Sequence, residues 1–203
     1  MNKNLLISKI SKKDCAVLLQ QYHYLAKESI SFRSGFNYGL YKDEELIGVC
    51  IFHGISAPET LKGCLGLDRN NQKGFYELGR LCVKAGISAK NLLSWFVSKS
   101  IRLLKKETFV RGILSYADSR YHKGYIYQAC NFKYFGLSAV KKDFWFLQDD
   151  GSYKKHSRGK IKGFSGEWRP RPQKHRYFML FDRSLKVLWK ESPYPKGKNK
   201  NPQ

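Results

Sequence analysis

The stretch Leu114–Gly136, LSYADSRYHKGYIYQACNFKYFG, decides how the rest of the chain is read. Its first residues are apolar or small and run into a lone carboxylate, Asp118. A basic, aromatic turn follows, with His122 and Tyr125, then a short helical segment that ends in Asn131-Phe132 and leads to a further strand. A buried strand that enters a helix through a tight turn is the building unit of an α/β sheet. Chemistry in such sheets gathers at the carboxyl ends of strands, where Asp118 stands. Asp is also a common turn-former and helix N-cap, so position alone does not separate catalyst from cap.

The flanks extend the α/β pattern. A strand is expected over Asn4–Ile10 and a helix over Lys13–Tyr22. The turn KDEE joins strands near Phe36–Tyr41 and Leu46–His53 into the clearest hairpin of the sequence. Residues 55–74 read as an irregular excursion and Phe75–Val83 as another strand. Leu92, Leu93, Phe96, Val97, Ile101 and Leu104 make one apolar stripe on the longest helix, with Ser88 as its expected N-cap and basic residues in its last turn. After the opening stretch, KYFGLSAV and DFWFLQDD suit a final hairpin, and His175–Asp182 a late strand. The order is β-α-β-β-β-α-β-α-β-β, which predicts a mixed sheet covered by helices on its faces.

Charge narrows the function. The chain of 203 residues carries 38 Lys and Arg against 16 Asp and Glu, a formal net charge of +22. Self-repulsion of that size opposes compaction, and the usual reason for it is a polyanionic partner. Nucleic acid is favoured over a membrane surface, because no long basic amphipathic helix stands out. Five cysteines lie far apart without a C-x-x-C pair, which disfavours a zinc ribbon or finger and points to reduced thiols in a cytoplasmic setting. The polar start MNKNLLISKISKKD does not read as a secretory signal, and no apolar run reaches transmembrane length.

The element order is that of the GNAT acyltransferase fold, and the segment IYQACNFKYFG resembles the GNAT helix that carries a Tyr and leads into the next strand. A more specific set of blocks resembles the Mom family of phage DNA-modification proteins. These are YHYL (Tyr22–Leu25), YELGRLCV (Tyr76–Val83), KNLLS (Lys90–Ser94), SYAD…H.G.IYQA.NF.Y.G (Ser115–Gly136) and QKHRYF (Gln173–Phe178). They stand in this order between Tyr22 and Phe178, and the resemblance extends over about two thirds of the chain. The resemblance implies an α/β, GNAT-like mixed central sheet flanked by helices, with a basic C-terminal extension. With the basic, turn-rich composition of the C-terminal third, the chain is expected to divide into a catalytic domain over 1–150, a basic strand and loop extension over 151–190 packed on that domain, and a disordered basic tail over 191–203. The resemblance also implies transfer of a carbamoylmethyl (acetamido) group to N6 of adenine in double-stranded DNA, protection of phage or mobile-element DNA from host restriction, residence in the host cytoplasm, and an associated iron ion.

The chain departs from ordinary GNAT enzymes at the start of the long helix. There a glycine-rich turn normally lets backbone N–H groups meet the pyrophosphate of coenzyme A. Here the turn is AGISAKNLLS, with Gly86 but no paired glycines, and Lys90, Asn91 and Leu92 in the expected crossing. Their side chains are expected to block close approach, so conventional acetyl-CoA is not the expected donor and the donor is left open.

The N6 amine of adenine is a weak nucleophile, because its lone pair is delocalised into the ring, and it must leave the base stack to reach a pocket. Asp118 is the expected base or metal ligand. Arg80, placed mid-strand among apolar residues, must be paired or face a pocket, and is expected to hold an anionic donor. Glu77, three residues away, would face the opposite side of an ideal strand. Tyr127 is the expected general acid, with a core aromatic as the plain alternative. With the resemblance, His23 and Tyr24 join the catalytic set, and His23, Tyr24, Asp118 and Tyr127 become the candidate iron shell, their donor atoms being suited to iron. Asn91 and Ser94 are candidates to bind the donor at the helix start. His122 and Tyr125 stand behind these, and Ser115 is placed to support Asp118.

The segment from Tyr153 to Tyr177 mixes basic and aromatic residues, the composition of a nucleic-acid contact. Trp168, Arg169, Arg171, Lys174 and Arg176 are the expected DNA contacts. An ordinary GNAT acetyltransferase acting on protein or RNA, and a non-catalytic nucleic-acid-binding protein, remain as alternatives. The oligomeric state, monomer or homodimer, is open.

Overall fold

A computed structural model describes residues 4–24, 26, 31–87, 89–156 and 160–197. The expected α/β architecture is present. Strands β1 (Leu5–Lys9), β2 (Phe36–Lys42), β3 (Glu45–Gly54), β4 (Phe75–Val83), β5 (Gly112–Asp118), β6 (Lys133–Leu137) and β10 (Lys174–Leu180) form a seven-stranded sheet in the order β1-β2-β3-β4-β5-β10-β6. Only β4 and β5 run parallel; every other neighbouring pair is antiparallel. The β2–β3 turn is tight because Asp43 and Glu44 both take left-handed backbone angles, φ 48° and 67°, as a two-residue hairpin requires.

Helices α1 (Lys12–Tyr22) and α2 (Pro58–Leu65) cover one face, and α3 (Leu92–Glu107) and α4 (Tyr125–Ala129) the other. Helix α1 starts on a capping box. The Ser11 hydroxyl accepts from the Asp14 amide at 3.1 Å, and the Asp14 carboxylate accepts from the Ser11 amide at 3.2 Å. Its buried residues Cys15, Leu18 and Leu19 pack on Val49, Ile51 and Cys82. The expected stripe of α3 is buried through Leu92, Phe96, Val97, Ile101 and Leu104, while Leu93 is exposed. The residue at the N-cap of α3 is Asn91, with φ 62°; Ser88 lies outside the described residues. Helix α2 falls in the excursion read as irregular. Pro58 at its start and the left-handed Gly66 at its end are the signals that mark it. None of the described helices is long and apolar enough to cross a membrane.

The expected final hairpin does not form, because β6 and the strand after it belong to different sheets. Strands β7 (Lys141–Leu147), β8 (Tyr153–Lys155) and β9 (Gly166–Arg171) make a separate three-stranded sheet, order β8-β7-β9. The basic segment is therefore an insertion between two strands of the central sheet, and β10 returns to lie between β5 and β6. Residues 183–197 run as a strap across the fold. Trp189 packs on Phe135, the Ser192 amide bonds the Tyr134 carbonyl at 2.9 Å, and the Tyr194 hydroxyl bonds the Phe132 carbonyl at 2.9 Å. Residues 191–197 are thus tied down where a disordered tail was expected; 198–203 lie outside the described residues.

Candidate active site

Strands β4 and β5 pair only from Phe75–Gly112 to Leu78–Ser115. Beyond that point β4 stays with β3 and β5 stays with β10, so the sheet splits. The Ser115 hydroxyl, fully buried, donates to the Leu78 carbonyl at 3.0 Å and closes the fork. The split opens into a cavity of about 780 Å³. Its lining brings together Arg80 from β4, Asp118 from β5, Tyr127 from α4, Lys174 from β10, and His23 and Tyr24 from the end of α1, while the start of α3 supplies Asn91 and Ser94.

A bulge sets the direction of Arg80. Ile51 pairs with Arg80 and Phe52 with Leu78, so Gly79 is an extra residue in β4. The insertion reverses the alternation, and Glu77 and Arg80 come to the same face instead of opposite ones. Only glycine fits at the bulge: a Cβ there would collide with the His53 ring, 2.7 Å from its Cδ2. Arg80 donates to the Gly79 carbonyl at 2.7 Å and the Ser31 carbonyl at 3.1 Å, and among the described residues it has no carboxylate partner.

Asp118 is buried and held by Arg120. The Arg120 amide and Nε donate to Oδ1 at 3.0 and 3.2 Å, and Nη2 donates to Oδ2 at 3.0 Å. Burial works to raise the carboxyl pKa, but these bonds and the charges of Arg120 and Lys174 outweigh it and leave it below the usual range. Asp118 is therefore a persistent carboxylate. Burial pushes the Tyr127 phenol up to about 12, so it keeps its proton. Burial, with Arg80 and His122 nearby, pushes His23 down to about 4, and burial also lowers His122, so both imidazoles are neutral at pH 7. Lys174 is lowered by desolvation against the attraction of Asp118 and Glu77.

Aromatic rings wall the cavity beside Asp118. His23 stacks on Tyr24 with centroids 4.4 Å apart, and Tyr24 meets Tyr121 at 4.9 Å and His122 at 5.6 Å. The structure thus gathers the expected catalytic residues Asp118, Arg80, Tyr127, His23 and Tyr24 around one space. Lys174, expected on a DNA-binding surface, lines the same space. Arg176 lies elsewhere: its guanidinium packs 4.4 Å over Trp189, and Nη2 bonds the Phe135 carbonyl at 2.6 Å. Trp168, Arg169 and Arg171 stand on the inserted sheet. Sequence reasoning missed the cavity placement of Lys174 and of Tyr116. The pairing Lys174↔Asp118 is what puts the lysine there, and it is visible only once β10 is set beside β5.

The architecture is that of the GNAT acetyltransferases. Similar solved structures include the IAA acetyltransferase from Bacillus cereus ATCC 14579, at 12% identity, 87% of this chain, 99% of that chain and TM-score 0.52. Another is yncA from Salmonella typhimurium, described as an acetyltransferase and solved with its cofactor acetyl-CoA, at 11% identity, 89% of this chain, 96% of that chain and TM-score 0.53. A third is the GNAT-family acetyltransferase from Streptococcus pneumoniae, at 11% identity, 87% of this chain, 98% of that chain and TM-score 0.50. At such identities the likeness shows the fold. No curated protein matches the chain significantly. A family model described as the Mom protein family matches residues 4–196, and the chain belongs to that family.

The cofactor expectations are corrected. Among the described residues no group of three or more His, Cys, Asp or Glu is placed to hold a metal ion, and the Asp118 carboxylate is engaged by Arg120. The donor set of His23, Tyr24, Asp118 and Tyr127 does not fit an iron site. The expected block to coenzyme A is overturned as well, since this is the fold of an acetyl-CoA-bound structure. Locally, Leu92 turns into the core, and a Cβ at Gly86 would meet nothing within 4 Å. The first turn of α3, Arg80 and the cavity fit an anionic donor of the coenzyme A class.

Proposed function

We propose that the protein modifies DNA, transferring a carbamoylmethyl (acetamido) group to N6 of adenine in the duplex and so shielding phage or mobile-element DNA from restriction. The observation that carries this reading is the cavity at the split of β4 and β5. A persistent carboxylate, an arginine with no carboxylate partner among the described residues and a wall of flat rings converge there, in a chain of net charge +22. Flat rings accept a flipped base by stacking, and the basic surface holds the backbone it came from.

A donor of the coenzyme A class would have to carry the group through its methylene carbon: N6 attacks that carbon, the bond from carbon to the donor's sulfur breaks, and the sulfur leaves as a thiol, since attack at a thioester carbonyl would put an acyl group on N6 instead. Arg80 and the N-terminus of α3, at Asn91 and Ser94, hold its phosphates. Asp118, ionised, accepts a hydrogen bond from the N6 amine and orients it. The neutral imidazole of His23, next to Tyr24, takes the proton that N6 loses. Tyr127, protonated, donates to the leaving group. The identity of the transferred group is supported by family membership alone.

The test is expression of the protein with plasmid DNA, digestion to nucleosides and mass spectrometry. A carbamoylmethyl increment on deoxyadenosine is expected. Unmodified nucleosides from cells holding folded protein would overturn the reading. Because similar folds are acetyltransferases, the second reading is acetyl transfer to a protein or RNA. Acetylated macromolecules with unmodified DNA would establish it.

A further inference from the structure

The inserted sheet has two unlike faces. On one, Phe144, Phe146, Phe164 and His156 cluster with Trp168, their ring centroids 5.4–6.4 Å apart. These rings pack on one another around the buried Phe144, while Phe164 and Trp168 stay about half exposed. By alternation and register the other face carries Lys141, Asp143 and Trp145 of β7, Tyr153 and Lys155 of β8, and Arg169 and Arg171 of β9.

The cations of this second face are held in place. Asp143, 8% exposed, accepts from Arg171 Nε at 2.8 Å and pairs with Lys155 at 2.6 Å. The Arg169 guanidinium lies 4.5 Å from the Tyr153 ring and 4.9 Å from the Trp145 ring, and its Nε bonds Glu167 at 2.5 Å. Lys141 stands opposite Arg171. A free surface arginine loses much side-chain freedom when it binds an anion, whereas a stacked and propped one has lost it already. Among the described residues the terminal nitrogens of Arg169 have no hydrogen-bond partner, which leaves them to fork onto a phosphate. The face also leads somewhere. Strand β9 ends at Arg171, and β10 begins at Lys174, which lines the cavity.

We propose that the face bearing Lys141, Lys155, Arg169 and Arg171, with Trp145 and Tyr153 as its stacking supports, is a track for the sugar–phosphate backbone of DNA leading to the cavity mouth. The inference rests on the DNA reading for the identity of the polymer. It goes beyond that reading in assigning binding to one face of one insertion rather than to net charge.

The experiment compares two charge-matched doubles of the full chain. One is Arg169→Gln with Arg171→Gln; the other is Lys186→Gln with Lys190→Gln, both exposed on the strap. Affinity for a fluorescent DNA duplex is measured over a salt series, alongside thermal melts. The track double should bind about tenfold more weakly, with the slope of log affinity against log salt shallower by about two, while the strap double changes little. Equal losses in the two doubles would overturn the proposal, as would tighter binding of an RNA duplex of the same length. If the track double does not fold, Arg169→Lys replaces it. That change keeps the charge and loses the planar stack, so weaker binding supports the track and unchanged binding overturns it. DNA binding through this face without modified adenosine would keep the track and sink the proposed function. Modified adenosine with equal binding by both doubles would do the reverse.

Discussion

Lys174 of β10 stands directly opposite Asp118 of β5 in the antiparallel ladder, beyond the last position at which β4 and β5 pair. An amine and a carboxylate therefore face the cavity from neighbouring strands, with Glu77 and Arg80 close enough to act on the amine's charge.

This placement makes Lys174 a cavity residue first. Lys174→Met should lower group transfer by about tenfold or more while DNA affinity stays within about threefold, a difference resolved by parallel activity and binding assays. A fall in affinity matching the fall in activity would return Lys174 to the DNA-contacting set.

Asp118→Asn keeps the shape and removes the charge. Modification should fall by about a hundredfold or more, with DNA binding retained. The wild-type carboxyl pKa lies below its ordinary value, so its stabilising bonds with Arg120 are present at neutral pH and are lost as pH falls through the folded pKa. The Asn variant should lose that acid dependence in thermal melts. Full activity in Asp118→Asn would assign the residue to the turn.

Gly79→Ala tests the bulge. The added methyl would meet the His53 ring, whose Nδ1 is 2.7 Å from the Gly54 carbonyl. Overpacking of this kind costs about 1–3 kcal/mol, which should lower the melting temperature by several degrees. His53→Ala combined with Gly79→Ala should recover much of the loss. Strict additivity of the two changes would place the cost in the backbone rather than in the contact.

His23, 7% exposed, carries a pH signature of its own. Burial pushes it down to about 4 from the 6.5 of an ordinary imidazole, so the unfolded chain binds more protons between the two. Stability from the neutral imidazole is complete above pH 6.5 and is lost as pH falls toward 4, by on the order of 3 kcal/mol at most. His23→Gln should flatten denaturation midpoints across that window relative to wild type. His122 and His175 shift in the same direction, so a residual slope is expected. An unchanged slope in His23→Gln would remove His23 from the account.

Much of the fold was legible in the sequence, and the reasons are local. The hairpin of β2 and β3, the capped helix α1 and the stripe of α3 are written in nearest-neighbour patterns. Asp118, Arg80 and Tyr127 could be chosen because a strand-end carboxylate, a mid-strand arginine and a helix Tyr break the apolar pattern around them. Glu77 was given the wrong face because alternation assumes an unbroken strand, and one bulged glycine reverses it. Helix α2 was missed although Pro58 and Gly66 mark its ends, since its eight residues are too few for a clear period. The inserted sheet was missed because β8 has three residues and β9 holds a proline, Pro170.

The sequence by itself determined a basic α/β protein, the order of its main elements and the residues worth testing, because charge and periodicity are properties of the chain. Tertiary structure decided that β10 slots between β5 and β6, that the sheet splits after Leu78 and Ser115, and that His23, Tyr24, Arg80, Asp118, Tyr127 and Lys174 share one cavity. It also decided that the basic segment has an apolar face and a pinned cationic face. The physical reason is common to all of these. Which strands pair, and in what register, is set by contacts between residues far apart in the chain, and a shift of one residue in a strand moves every later side chain to the other side of the sheet.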